Sequence, residues 1–314
     1  MTAARFLWRP LRGVVRDVGD AVAWWRRFWF TPQPVDTVCL LRWLAGGMLL
    51  YTHTVWTLAL DEFFTADGWQ PAELVEAVGR GGSVSFWWLV PDGWLWPVHI
   101  ASLLALAAFW VGLFTPVTKW LAVLVTLSYA NRTPLANFGL DQINGMLALY
   151  LALAPCGAKW SVDAWRRGAC IAPSAAARLA TRLVQVHLCV IYVYAGLAKL
   201  KGQAWWNGEA IWMTLANEEY QSLDLTWLAW HPRLTEALTH GTVVWELSFW
   251  ALVWRPRLRP YVLTVGTLMH IGIGAFLGMW TFGLAMTIAY VAFWEPGATS
   301  RPSVGTTTER EERD

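Results

Sequence analysis

Charge is what this chain is short of. Asp, Glu, Lys and Arg make up 15% of its 314 residues, against about 25% in water-soluble domains, and the mean hydropathy is +0.37. That balance excludes an ordinary soluble domain and indicates a protein whose solvent is lipid. Cysteine is scarce too. Of the four, Cys39 and Cys189 lie inside apolar segments and Cys156 and Cys170 share one short loop, so neither a CxxC pair nor a disulfide framework is visible. The six histidines include no two at a spacing that would face one metal. A phosphate-cradling glycine loop, a zinc-protease helix and a nucleophile elbow are also missing, and no metal is expected. The net charge is only +2. Without a basic patch interleaved with stacking aromatics, nucleic acid is excluded as a partner.

Tryptophan is what the chain has in excess, with 25 copies. Many sit at the edges of apolar runs (Trp24, Trp25, Trp29, Trp94, Trp96, Trp120, Trp205, Trp206, Trp254, Trp294), where an amphipathic ring settles at the headgroup level. The apolar segments are 38–60, 93–114, 117–130, 143–155, 179–198, 237–254, 260–276 and 278–293. A full span takes about 20 residues, which the first, second and fifth provide and most of the others do not. The fold expected is an all-α polytopic membrane protein with about eight transmembrane or partly spanning helices. The stretch from Arg259 to Glu295 is interrupted near Gly272, Gly274 and Gly278. Its two segments either tilt and kink or are partial helices whose ends line a protein-enclosed cavity.

The bias of Lys and Arg orients the spans. Basic regions (Arg5 to Arg27; Lys159, Arg166, Arg167, Arg178; Arg255, Arg257, Arg259) alternate with acidic ones (Asp61, Glu62, Asp67, Glu73, Glu76, Asp92; Glu209, Glu218, Glu219, Asp224). Eight segments with both termini cytoplasmic, in the plasma (inner) membrane, place every basic loop inside. Residues 1–30 mix arginines with Trp8, Trp24, Trp25, Phe28 and Trp29 and lack a signal-peptide core, so an amphipathic helix on the cytoplasmic surface is expected. Residues 31–296 form the transmembrane domain, and the polar stretch 297–314 reads as a disordered cytoplasmic tail.

Ionisable groups in lipid are costly, and each needs an account. Arg42 lies one turn inside the first span, where snorkelling to the cytoplasmic interface suffices. His53 and His99 fit satisfied interfacial positions. Glu246 falls near the middle of the sixth segment, where a carboxylate is either neutral or paired. His270 lies about 16 Å beyond Arg259 at the helical rise. It could share that depth, and a hydrogen bond, with Glu246, in a functional site or a structural pair. Asn131-Arg132 and Asp141-Gln142-Ile143-Asn144 bracket a short outer loop, either a solvated, capped turn or a polar mouth. Lys199 ends the fifth segment on one helical face with Ala195, Gly196 and Tyr192. Small residues there admit another helix or a flat ligand. A buried Lys199 becomes a candidate base, whereas Lys201, followed by Gly202, is an anchor.

At these residues the chain resembles the HTTM superfamily, which includes the vitamin K-dependent γ-carboxylase. Val35-Asp36 with Leu40-Leu41-Arg42-Trp43 resembles the family's entry to its first span. Trp160-Ser161-Val162-Asp163 matches its cytoplasmic loop, and Tyr192 to Lys199 followed by Trp205 resembles the segment that carries the carboxylase's lysine pair. Glu246-Leu247-Ser248 resembles an Asp-Leu-Ser, and His270 through Phe293 follows the last helical pair, so the resemblance runs from about 30 to 296. It implies a catalytic base at Lys199 acting on reduced vitamin K or another quinol at the outer face. In the carboxylase the deprotonated hydroquinone reacts with oxygen, becomes an epoxide and yields a base that takes a γ-proton from glutamate, to which carbon dioxide adds. The resemblance further implies catalytic roles for His270 and Asp141, and places Tyr192, Gly196, Trp205 and Glu246 about the cofactor. Asp141 of Gly139-Leu140-Asp141 stands where the carboxylase has a histidine, and no large extramembranous domain follows. The expectation is therefore a small quinol-dependent enzyme, a carboxylase-like lyase, in contact with membrane lipid. Two other classes stand beside it. One is a non-enzymatic factor for maturation or export of a secreted peptide or protein, for which the acidic loop 199–236 with Trp227, Trp230 and His231 is the cue. The other is a small-molecule transporter using Glu246.

Overall fold

The computed structural model describes residues 3–78, 84–168 and 172–294. Among them the regular structure is helical, and the one extended pairing is an isolated bridge between Gln33 and Ser174. The longer helices are α1 (Ala3–Phe30), α2 (Asp36–Val55), α3 (Leu95–Val111), α4 (Thr115–Arg132), α5 (Gly139–Ala152), α6 (Ala175–Lys199), α7 (Pro232–Leu252), α8 (Arg259–Leu277) and α9 (Trp280–Tyr290). Each of the eight apolar segments coincides with one of α2 to α9. Three described helices are long and apolar enough to cross a membrane: Asp92–Val111, which includes α3, then α6 and α8. Trp280–Phe293 is apolar and shorter. The polar stretch 297–314 lies outside the described residues.

Helix ends follow local chemistry. Pro116, Pro232 and Pro260 sit in first turns, where no amide hydrogen is needed. Gly112 and Gly278 close α3 and α8 in the left-handed region, at φ 72° and 71°. The break in the last apolar stretch is therefore at Gly278, whereas Gly272 and Gly274 stay inside α8. Gly274 has a packing reason instead, since a Cβ there would lie 2.7 Å from the Trp280 ring. In the centre of the bundle α2, α5, α6 and α9 pack together, with α3 and α4 on one flank and α7 and α8 on the other. The core is aliphatic and aromatic, including Leu41, Leu49, Phe109, Leu147, Leu188 and Phe249.

The basic connections gather at one end of the bundle. Lys159 pairs with Asp36 at 2.8 Å, Arg178 donates to the Phe28 carbonyl, and Arg259 donates to the carbonyls of Val253 and Phe293. Arg42 belongs to this end, but it does not snorkel. It is fully buried, and its guanidinium donates to the carbonyls of Cys156 (3.0 Å), Phe109 (3.1 Å), Trp110 and Trp160. Phe109 and Trp110 belong to the last turn of α3, whose carbonyls carry the negative end of the dipole; the Gly112 amide also donates to the Phe109 carbonyl, at 3.1 Å. A cation is the natural cap. His53 and His99 have partners, as expected, and these are protein groups: His53 Nδ1 bonds the Leu49 carbonyl. Both are buried, and His99 bonds Tyr129 at 2.7 Å and Thr57 at 2.9 Å.

The Trp160-Ser161-Val162-Asp163 loop is a double cap. The Ser161 hydroxyl accepts from the Ala164 amide, which starts the short helix Val162–Arg167. The Asp163 carboxylate accepts from the amides of Phe114 (3.0 Å) and Thr115 (2.6 Å) at the start of α4. Partial burial works against its charge, but these amide donors prevail and hold its carboxyl below the ordinary carboxylate range. Stability from this group is therefore present above the unfolded carboxyl's pKa and is lost as pH falls through the lower folded value. Asp163→Ala should cost about 0.5–2 kcal/mol, read as a lowered unfolding midpoint at neutral pH. That difference from wild type should shrink on acidification.

Candidate functional site

The C-terminal end of α6 leans on the middle of α7, and Gly196 sets the approach. A Cβ on Gly196 would lie 2.8 Å from the Leu247 side chain and 3.4 Å from the Glu246 Cβ. The small face of α6 is thus occupied by a helix. That close approach brings Lys199 Nζ to 2.8 Å from Glu246 Oε1, with the carboxylate side chain 6% exposed and the lysine 23%. The Trp205 ring lies 5.2 Å from Nζ and closes the pair off as a cation–π partner. Among the described residues Glu246 Oε2 has no hydrogen-bond partner. Lys201 is exposed, as an anchor should be.

Deeper in the bundle lies a second polar group. Tyr192 of α6 bonds His270 Nε2 of α8 at 2.8 Å and also the Tyr290 hydroxyl of α9. His270 does not bond Glu246. The two share the interior, but Lys199 takes the carboxylate and Tyr192 takes the imidazole. Glu246 remains close enough to both tyrosines to interact with them electrostatically. His270 Nδ1 is buried and has no partner among the described residues. His270 also borders a cavity of about 700 Å³ between α2, α3, α8 and α9, whose apolar walls include Trp43, Met48, Trp110 and Trp280. Gly283 places His270, because a Cβ on it would lie 2.5 Å from the His270 carbonyl oxygen. Backbone cannot yield as a side chain can. Gly283→Ala should therefore cost about 1–3 kcal/mol, read as a lower unfolding midpoint with a shifted His270 imidazole resonance.

A family model described as the HTTM domain matches residues 141–297, half of the chain. The chain belongs to the HTTM family. The matched HTTM region contains Lys199, Glu246, Tyr192, His270 and Tyr290, the residues that α6 to α9 bring together. Arg42 and the His53, His99 and Tyr129 group precede it. No curated protein and no solved structure matches the chain.

Asp141 stands apart from the lysine within the HTTM domain. It begins α5, where its Oδ2 accepts from the Phe138 amide at 3.0 Å, and it borders a smaller cavity with His53, Tyr129 and Asn144. The outer turn is largely structural. Arg132 is buried and donates to the carbonyls of Gln70 and Phe64, and Asn131 donates to the Val84 carbonyl. Sequence reasoning singled out neither Tyr290 nor the Tyr129–His99 bond. The available signal was weak: a hydroxyl or imidazole within an otherwise apolar helix. Among the described residues there is no cluster of His, Cys, Asp and Glu that could hold a metal.

Proposed function

We propose that this HTTM-family chain is a quinol-dependent membrane enzyme of the carboxylase-like type, with Lys199 as its base. The observation that carries the proposal is the Lys199–Glu246 pair, shielded by Trp205 and backed by the Tyr192–His270–Tyr290 group. The topology that goes with it has eight spanning or partly spanning helices and a cytoplasmic basic end. Residues 31–296 are then the membrane domain, with Lys199 toward the outer face and α1 on the inner surface.

A reduced quinone suits the residues present. The cavity of about 700 Å³ has apolar walls for a ring and isoprenoid chain, and His270, whose buried Nδ1 has no partner among the described residues, is one of the residues that line it. When bound, such a group supplies the electrons for reaction with oxygen. His270 would hold and orient a ring hydroxyl, while Tyr192, itself bonded to Tyr290, fixes the imidazole at Nε2. Apolar walls keep water away from that contact. Lys199 does not line the cavity. For Lys199 to serve as the base, a proton would have to cross from the Tyr192–Tyr290 pair to Glu246, whose Oε2 has no hydrogen-bond partner among the described residues. In a low-dielectric interior the ion pair and its neutral form, amine beside carboxylic acid, lie close in energy. The Nζ···Oε1 contact can therefore release a free amine without moving either side chain.

Purified protein supplied with a reduced naphthoquinone should consume oxygen, and Tyr192→Phe should slow the reaction while quinone binding persists. Absence of quinol-dependent oxygen uptake in active membranes would overturn the proposal. A second reading, a factor that engages a secreted peptide, draws on the exposed Trp227 and Trp230 of the 199–236 loop. It gains if peptide is retained and quinol turnover is absent.

A further inference from the structure

The smaller cavity, about 240 Å³ between α2, α4 and α5, has a lining whose charge is one-sided and which leaves buried acceptors over. Several of its donors are already committed, although Tyr51, Trp56 and Thr281 also line it. Thr126, Thr133 and Asn137 donate to the carbonyls of Ala122, Tyr129 and Ala130, and the Tyr129 hydroxyl is engaged by His99. Some of its acceptors have capacity left. His53 Nδ1 lies 2.8 Å from the Leu49 carbonyl. A carbonyl only accepts, so this nitrogen carries the hydrogen, and Nε2 of the neutral ring is left as an acceptor with no hydrogen bond among the described residues. Asn144 can be oriented by the same logic. The Thr52 hydroxyl gives its single hydrogen to the Leu49 carbonyl, so toward Asn144 it can only accept, which assigns the amide nitrogen to that side. Asn144 Oδ1 then remains without a partner among the described residues, on a side chain only 2% exposed. Asp141 adds a carboxylate to the lining, which contains no lysine or arginine.

An anion is disfavoured in a cavity that holds a carboxylate and no cation, and a further acceptor gains nothing at His53, Asn144 or Asp141. The matching group carries several N–H donors and a positive charge. We propose that this cavity binds a small protonated primary amine, with its ammonium between His53 Nε2, Asn144 Oδ1 and the Asp141 carboxylate. Trp56 and Tyr129 supply the walls for a short alkyl part and a ring face for the cation. Tyr51 and Thr281 border both this cavity and the apolar one at His270, but His53, Asn144 and Asp141 line only the smaller and Lys199 lines neither, so the site stands whether or not the chain oxidises quinols.

The test is thermal unfolding of the full chain in detergent, titrated with n-propylammonium, tetramethylammonium and 1-propanol as separate probes. Propylammonium should raise the midpoint saturably. Tetramethylammonium has the charge without N–H donors, and 1-propanol has the size without the charge, so neither should. Asn144→Leu should raise the half-saturating concentration of propylammonium about tenfold or more, the loss of one hydrogen bond to a charged donor. Asp141→Asn, nearly isosteric, should raise it as well, and it keeps the test decisive if Asn144→Leu does not fold. No saturable shift with propylammonium, or an equal shift with either comparison probe, overturns the site.

Discussion

Lys199→Ala should lower quinol-dependent oxygen uptake by about 10²–10⁴-fold, the range contributed by a positioned general base. The alanine variant alone would be ambiguous, because it also leaves Glu246 buried without its partner. Lys199→Arg separates the two effects. Arginine keeps the positive charge and can meet the carboxylate through two donors, so the junction of α6 and α7 survives. It cannot give up its proton in this environment, so it cannot act as a base. The expected pattern is a loss of rate in both variants, with the unfolding midpoint close to wild type in Lys199→Arg alone. If Lys199→Arg retains the wild-type rate, Lys199 is a structural cation and the base lies elsewhere.

The largest stability effect is expected at Arg42. Four carbonyls converge on its guanidinium, from Phe109, Trp110, Cys156 and Trp160, in a fully buried position. Arg42→Ala strips all four of a donor at once. Hydrogen bonds to a charged group contribute about 1.5–3 kcal/mol each but do not add, so the net loss should be roughly 3–5 kcal/mol. Arg42→Lys should recover less than half of it, because an ammonium is a point donor that cannot reach four acceptors spread around a planar fork. Equilibrium unfolding in mixed micelles would read both values. Equal stability of Arg42→Ala and wild type would mean that water or lipid replaces the guanidinium at those carbonyls.

Much of the architecture is written in one dimension. Apolar run length, the proline and glycine punctuation at Pro116, Pro232, Pro260 and Gly278, and the alternation of basic and acidic connections depend on a residue's immediate neighbours. Those features marked each helix from α2 to α9 and separated the two ends of the bundle. Lys199 was picked out by the same local logic, from its place at the end of α6 on one face with Tyr192 and Gly196. Its partner was not. Glu246 lies 47 residues away, and only the packing of α7 onto Gly196 chose Lys199 for it in preference to His270.

The same limit governs the other buried polar groups. Arg42 near a helix end looks like a snorkelling side chain until carbonyls 67 to 118 residues distant arrive around it. His53 and His99 have no visible partners in the sequence until α4 brings Tyr129 against both rings. Sequence by itself determined that this is a helical, lipid-facing chain of the HTTM family with a lysine worth watching, because hydropathy, helical period and charge bias are sums over neighbouring residues. Tertiary structure alone decided which polar atoms find partners and which are left over. In a water-poor interior each donor must be matched by whatever acceptor the packing supplies, and that match is made between helices.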